Sequence, residues 1–203
     1  MIKLIDIGIS NIGSIQHKLY NNGIESDIIS KKSDFKGVTK LILPGVGHFR
    51  KAMDNLNSSN LRDELERKVL EEKIPILGIC LGMQLFSRRS QEGDSDGLGW
   101  INAETVRFEF SDDNLKIPHV GWNNLEIQKK TNIFKHIPKD KRFYFTHSYH
   151  LICNNESDIL SYTDYGYPFV SAINKKNIFG TQFHPEKSHE SGFKVILNFI
   201  KHV

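Results

Sequence analysis

The chain has 203 residues, 38% hydrophobic and 25% charged, enough for a sizeable core without disulfide or metal staples. Its 27 basic and 24 acidic residues are spread along the chain, and a net charge of +3 without a basic stripe argues against nucleic acid as a partner. No apolar run approaches the ~20 residues of a membrane span, and Met1-Ile2-Lys3-Leu4-Ile5-Asp6 reads as a strand, not a leader. The expectation is a cytoplasmic protein whose thiols are reduced and which meets no membrane.

Short apolar runs alternate with helical patterns through the N-terminal half, the rhythm of a doubly wound sheet. Residues 2–7 read as a strand, Ile12, Ile15 and Leu19 share one helical face, and Gly23 ends that helix. Residues 24–29 and 40–43 supply two further strands, the latter closing at Pro44-Gly45-Val46-Gly47. Leu61, Leu65 and Val69 form the apolar stripe of a charged surface helix, which leads to a buried parallel strand over 74–79. Beyond 93–99 the pattern changes to strands and turns, at 105–110, 125–127, 142–146, 159–163, 169–174 and 178–183. Phe193, Ile196, Leu197 and Ile200 then predict a closing amphipathic helix. No repeat or linker interrupts the chain, so residues 1–203 are expected to form one domain.

Cys80 stands at the end of the fourth apolar run, in Gly78-Ile79-Cys80-Leu81-Gly82, with a helical pattern after it (Leu81, Gln84, Leu85). A strand turning sharply into a helix around a glycine-flanked nucleophile is the elbow of hydrolases. Glycines suit it because the turn is strained and its neighbours must lack bulk. Helix N-terminal N–H groups at such a turn favour a thiolate and can receive an oxyanion. A small buried core residue is the other reading of this segment, and both stand on it alone. Cys153 lacks the glycine context and reads as structural. Two distant cysteines and unpaired histidines complete no metal site, and no cofactor is expected.

A thiol nucleophile needs a base and a group to orient it. With nine histidines in the chain, only His184 has distinctive company, Phe179-Gly180-Thr181-Gln182-Phe183-His184-Pro185-Glu186. In an extended segment positions two apart point the same way, so Glu186 is placed to hold the His184 ring. A loop with a surface carboxylate is the alternative. His147 and His150, around Ser148 and Tyr149, read as structural.

Taken together, the Cys80 elbow, Pro44-Gly45-Val46-Gly47 and Gln182-Phe183-His184-Pro185-Glu186 resemble the class I (triad) glutamine amidotransferases over the whole chain. Four stretches are similar to one subfamily, the glutaminase subunits of imidazole glycerol phosphate synthase: Asp6 to Asn11 with Ser14, Leu43 to Phe49, Gly78 to Leu85, and Ile117 to Asn123. The last, Ile117-Pro118-His119-Val120-Gly121-Trp122-Asn123, departs from that subfamily's Pro-His-Met-Gly-Trp-Asn at Val120. Residues 7–10 are likewise a looser version of its Tyr-Gly-Met-Gly.

The resemblance implies a single-domain α/β fold: a mostly parallel central sheet flanked by helices, with an antiparallel extension. It implies hydrolysis of L-glutamine through a Cys80 thioester, with His184 and Glu186 completing the triad. Val46 and Leu81 would form the oxyanion hole. Gly45, Gly47, Gln84, Glu92, Ser148 and Tyr149 would bind substrate. The partner implied is a (β/α)8-barrel synthase that takes up the ammonia, met through His119, Trp122 and Asn123. Paralogous glutaminases feed barrels that amidate cell-surface sugars, and a non-catalytic subunit or a cysteine peptidase are further readings; the intact Cys80, His184 and Glu186 argue against the subunit, and the added Pro44 to Gly47 and His119 to Asn123 segments against the peptidase.

Overall fold

A computed structural model describes residues 1–203. The N-terminal half lays down β1 (Ile2–Ile5), α1 (Ile12–Asn21), β2 (Ser26–Ile29), β3 (Lys40–Gly45), α2 (Phe49–Ser58), α3 (Arg62–Glu66) and β4 (Ile76–Cys80). A single helical turn, α4 (Leu81–Gln84), follows. Then come β5 (Arg89–Ser90), β6 (Ser95–Asp96), β7 (Ala103–Arg107), β8 (His119–Asn124), β9 (Glu126–Ile127), β10 (Arg142–His147) and β11 (Tyr149–Cys153). The chain ends with β12 (Ile159–Asp164), β13 (Pro168–Lys175), β14 (Ile178–Thr181) and α5 (His189–His202).

Strands β2, β1, β3, β4 and β14 lie side by side in that order, every pair parallel. From β14 the sheet continues antiparallel through β13, β11 and β7. The parallel part is apolar on both faces because helices cover both. Ile5, Leu41, Leu43 and Ile76 face α2 and α3, packing with Phe49, Ala52, Met53, Leu56, Leu65 and Val69. Their neighbours Leu4, Ile42, Leu77 and Ile79 face α1 and α5, packing with Ile12, Ile15, Leu19, Phe193, Ile196 and Phe199. Strand periodicity alone sorts these side chains into two cores.

β8 and β10 pair with each other as a separate antiparallel ribbon, from Arg142 opposite Asn124 to His147 opposite His119. The chain then passes from β10 through Ser148 into β11, which rejoins the main sheet.

Besides the two-residue strands β5 and β6, three longer elements escape the sequence reading. α2 carries a clean apolar face, but the polar Asp54, Asn55, Asn57 and Ser58 obscure it. β8 holds Gly121, Asn123 and Asn124, poor strand formers that become a strand because β10 supplies a cross-strand partner. β11 is masked by the polar His150 within it. The helix expected over 61–69 starts as α3 and then widens into a π turn, Arg67–Glu71, where Arg67 meets both Glu64 and Glu72. The last strand stops at Thr181, short of the expected 183.

Glycine is required where α4 lies on the sheet. A Cβ on Gly82 would sit 1.8 Å from the Leu43 carbonyl oxygen, and one on Gly78 would sit 2.7 Å from the Gly82 oxygen. Gly13, on α1, has nothing within 4 Å of the same position. Gly82→Ala should therefore cost about 3 kcal/mol or more by forcing α4 off β3. Gly13→Ala should stabilise by roughly 0.5–1 kcal/mol through helix propensity. Urea unfolding of both variants checks the opposite signs.

Candidate active site

Cys80 is both the last residue of β4 and the cap of α4, and its backbone has φ 54° and ψ −111°. A side-chain-bearing residue rarely adopts that conformation, and it persists here because the packing on both sides leaves no alternative. β3 runs beside it in register, with Gly45 opposite Cys80. The helix beyond is a single turn, shorter than the sequence pattern suggests. Its macrodipole is accordingly slight, and only its first N–H groups can act on the sulfur.

His184 and Glu186 come from the segment after β14. His184 Nδ1 and Glu186 Oε1 are 2.8 Å apart and both residues are buried. The contact expected from the sequence forms, but by a different route: Pro185–Lys187 is a 3₁₀ turn, and that turn, not an extended strand, brings the carboxylate back. The loop is tied down on three sides. The His184 N–H donates to the Tyr144 carbonyl at 2.9 Å, the Ser188 hydroxyl donates to the His184 carbonyl at 2.6 Å, and Lys18 Nζ donates to the Glu186 carbonyl.

Burial by itself would strip the His184 ring of its proton. The negative charge of a Cys80 thiolate, with the hydrogen-bonded Glu186 carboxylate, outweighs burial and pushes the imidazolium up to about 10. His184 Nε2 is buried with no hydrogen-bond partner, the nitrogen left to exchange a proton. Cys153, by contrast, is a free thiol that burial, and secondarily the charge of Asp158, pushes up to about 12, so it stays protonated and inert.

Cys80 and His184 open onto one cleft of about 300 Å³, lined also by Val46, Gly47, Leu81, Gln84, Glu92, Ser148 and Tyr149. This arrangement supplies a nucleophile beside a buried imidazole held by a carboxylate, with a cavity in front for a small polar substrate.

The family described as glutamine amidotransferase class-I matches residues 3–203. The chain belongs to the class-I glutamine amidotransferases. It is 47% identical over 201 residues to the imidazole glycerol phosphate synthase subunit HisH 2 of Methanococcus maripaludis, covering 99% of each chain. It is also 40% identical over 201 residues to the subunit HisH of Leptospira interrogans, covering 98% of each. The solved structure of PurLQS from Thermotoga maritima shares the fold, with a TM-score of 0.72 at 18% identity over 98% of this chain and 96% of that one. A crystal structure of a glutamine amidotransferase aligns with a TM-score of 0.71 at 17% identity, over 97% and 98% of the two chains.

Within this amidotransferase site, several side chains sit otherwise than the sequence suggests. Gly45 is buried under α4 and does not line the cleft; a Cβ there would come within 2.9 Å of the Gly82 nitrogen. The Val46 N–H, expected in the oxyanion hole, donates instead to the Ile9 carbonyl at 3.0 Å. Gln84 is buried, and its amide nitrogen donates to the Tyr149 carbonyl and to Gln182 Oε1. Only its oxygen remains for a ligand. Glu92 spends one oxygen on the N–H of Phe49 at the start of α2, at 2.7 Å, an acid satisfying an orphan helix donor.

His119, expected at a partner interface, is 3% exposed and stacks between Phe145 and Tyr165, so its side chain cannot reach a partner. Its strand neighbours can: Val120 is 56% and Trp122 40% exposed. Trp122 stacks on His189 with ring centroids 4.6 Å apart, and the Asn123 amide donates to the Asp164 carbonyl. Pro118, Thr146 and His147 line the cleft, and the sequence reading missed all three in that role. Alternation along β10 would have sorted His147 from Tyr144, but nothing in the sequence says which face carries the cleft.

Because Glu186 helps hold the His184 proton, its loss has a signed consequence. The imidazolium is raised above its unfolded value, so it is present at neutral pH and lost as pH rises through about 10. Glu186→Gln should lower glutaminase kcat by roughly 10²-fold and move the alkaline limb of the pH–rate profile to lower pH. An unmoved alkaline limb would show that the carboxylate does not govern the ring.

Proposed function

We propose that this chain is the glutaminase subunit of an imidazole glycerol phosphate synthase, acting in the cytoplasm. It hydrolyses L-glutamine to L-glutamate and ammonia and passes the ammonia to a (β/α)8-barrel partner, which makes imidazole glycerol phosphate and the aminoimidazole carboxamide nucleotide of L-histidine biosynthesis. The observation that carries the chemistry is Cys80 and the buried His184–Glu186 pair opening onto one cleft. The pathway rests on full-length relatives named as that synthase's subunit.

In this reading the Cys80 thiolate attacks the side-chain amide carbon of glutamine, and the C=O electrons move onto oxygen. The Leu81 N–H, first after the nucleophile, receives that oxyanion. His184 gives its proton to the amide nitrogen, the C–N bond breaks and ammonia leaves, with the acyl group held as a thioester. His184 then takes a proton from water, the hydroxide adds to the thioester carbon, and Cys80 departs with glutamate released. Glu92, Ser148, Tyr149 and the Gln84 oxygen hold the amino-acid end of the substrate.

The second oxyanion donor is the switch in this reading. The Val46 N–H must leave the Ile9 carbonyl and turn toward the cleft, a rotation of the Gly45–Val46 peptide eased by glycine at 45, with a second glycine directly after Val46. Gly47 has φ +103°, a conformation closed to proline. Barrel docking on the Val120 and Trp122 face of β8 would reach Thr146 and His147 through the β8–β10 pairing. Ammonia released this way enters the barrel before water protonates it.

Two measurements test the reading. Glutamate release should rise strongly when a histidine-pathway barrel and its aminoimidazole ribulose nucleotide are added, and Cys80→Ser should abolish it. Stimulation absent while a glutamine analogue still alkylates Cys80 would keep the glutaminase and assign another acceptor, such as a sugar precursor. Gly47→Pro should lose roughly 10²–10³-fold of the stimulated rate, the value of one oxyanion donor, while Cys80 still alkylates.

A further inference from the structure

Gln182 lies two residues before His184 and is fully buried behind the cleft. Its amide nitrogen is 3.6 Å from Cys80 Sγ and its oxygen is 3.0 Å from Gln84 Nε2. The orientation of that amide follows from its surroundings. The Tyr149 carbonyl can only accept, so the end of Gln84 that meets it at 2.9 Å is the NH2 group. The other hydrogen of the same nitrogen points at Gln182 and needs an acceptor, which fixes Oε1 of Gln182 there. The Gln182 NH2 is then the end left facing the sulfur.

The same logic runs outward. His147 Nδ1 lies 2.8 Å from the Tyr149 carbonyl and must carry the hydrogen it donates. Its Nε2 therefore accepts from His119 Nδ1, 3.2 Å away. Burial holds both rings neutral, pushing His119 down to about 4 and His147 well below its ordinary value. The chain of donors from His119 through His147, and from Gln84 through Gln182, has one consistent direction, with two hydrogens meeting the Tyr149 oxygen.

We propose that Gln182 is a catalytic residue that holds Cys80 as a thiolate, donating an amide hydrogen to Sγ in an orientation imposed by Gln84 and the Tyr149 carbonyl. A neutral thiol has a different outlet, the Thr146 carbonyl at 4.0 Å, to which it donates its own hydrogen. An N–H aimed at sulfur favours the charged form over that alternative, since hydrogen bonding to an ion stabilises the ion. Gln182 thus acts directly on the nucleophile, with its amide nitrogen 3.6 Å from the sulfur. The other titratable groups at the cleft are Glu92, His147, Tyr149, His184 and, behind the ring, Glu186. The inference rests on Cys80 being the nucleophile, as proposed above.

The test is the pH dependence of Cys80 alkylation by iodoacetamide, followed by peptide mass spectrometry in the intact chain, with Cys153 as internal reference. Gln182→Met keeps the length and bulk and removes the donor. Alkylation at neutral pH is expected to fall about tenfold and to recover to the wild-type rate at alkaline pH, the signature of a displaced titration of about one pH unit. A profile that keeps its shape, unchanged or uniformly lowered, overturns the proposal and leaves Gln182 as packing. If Gln182→Met does not fold, judged by circular dichroism, Gln84→Met decides. It leaves Gln182 in place but unfixed, and is expected to give a smaller drop of the same pH shape; an unchanged shape again overturns the proposal. Wild-type Cys80 reacting no faster than Cys153 would sink the nucleophile assignment itself, an outcome distinct from both.

Discussion

The site depends on one steric constraint, the contact of α4 with β3 and β4. Gly82 lies against the Leu43 carbonyl, Gly78 beneath Phe86 and the α4 backbone, and Gly45 beneath Leu81. With no room for a Cβ at any of these positions, the chain cannot relax at the turn between β4 and α4. Cys80 absorbs the conflict as a left-handed backbone conformation. Strain of this kind costs about 1–3 kcal/mol, and the two apolar cores on either side of the sheet offset it. What the protein gains is a sulfur held at the mouth of a cleft at no entropic cost when substrate binds.

Electrostatics complete what packing starts. The sulfur has a cationic ring on one side, a directed amide on another, and the N–H of a single helical turn behind it. None of these is strong in water; each gains from the low-dielectric surroundings, where unpaired groups are costly and paired ones are held rigidly. His184 shows the balance. Burial opposes its proton, yet the two negative groups prevail and retain it to about 10. His119 and His147 lack such partners, and burial leaves them neutral. Three buried histidines within one region thus carry opposite charge states, set by their neighbours.

The β8–β10 ribbon links two surfaces. Its outward residues, Val120 and Trp122, are exposed, while its inward ones, His119 and His147, reach the polar groups behind the cleft. Register converts a one-residue step along the strand into a change from solvent to active site. At the cleft the Val46 N–H is committed to the Ile9 carbonyl, so in the proposed reaction that bond breaks before the second oxyanion donor is in place.

The sequence by itself determined the class of fold and singled out Cys80, His184 and Glu186, which the structure brings together. Alternating apolar runs, the glycines around Cys80 and the spacing of His184 and Glu186 are local features, and local chemistry is what a sequence displays. It misled where meaning depends on distant contacts. Gln84 is expected to bind substrate, yet its amide nitrogen is committed to the Tyr149 carbonyl and Gln182; His119 reads as part of an interface but is enclosed by Phe145 and Tyr165. The 3₁₀ turn at Pro185–Lys187, the donor committed at Val46 and the direction of the Gln182 amide were decided only by the tertiary structure. Hydrogen-bond direction depends on which acceptor lies across the gap, and that acceptor belongs to a strand remote in sequence.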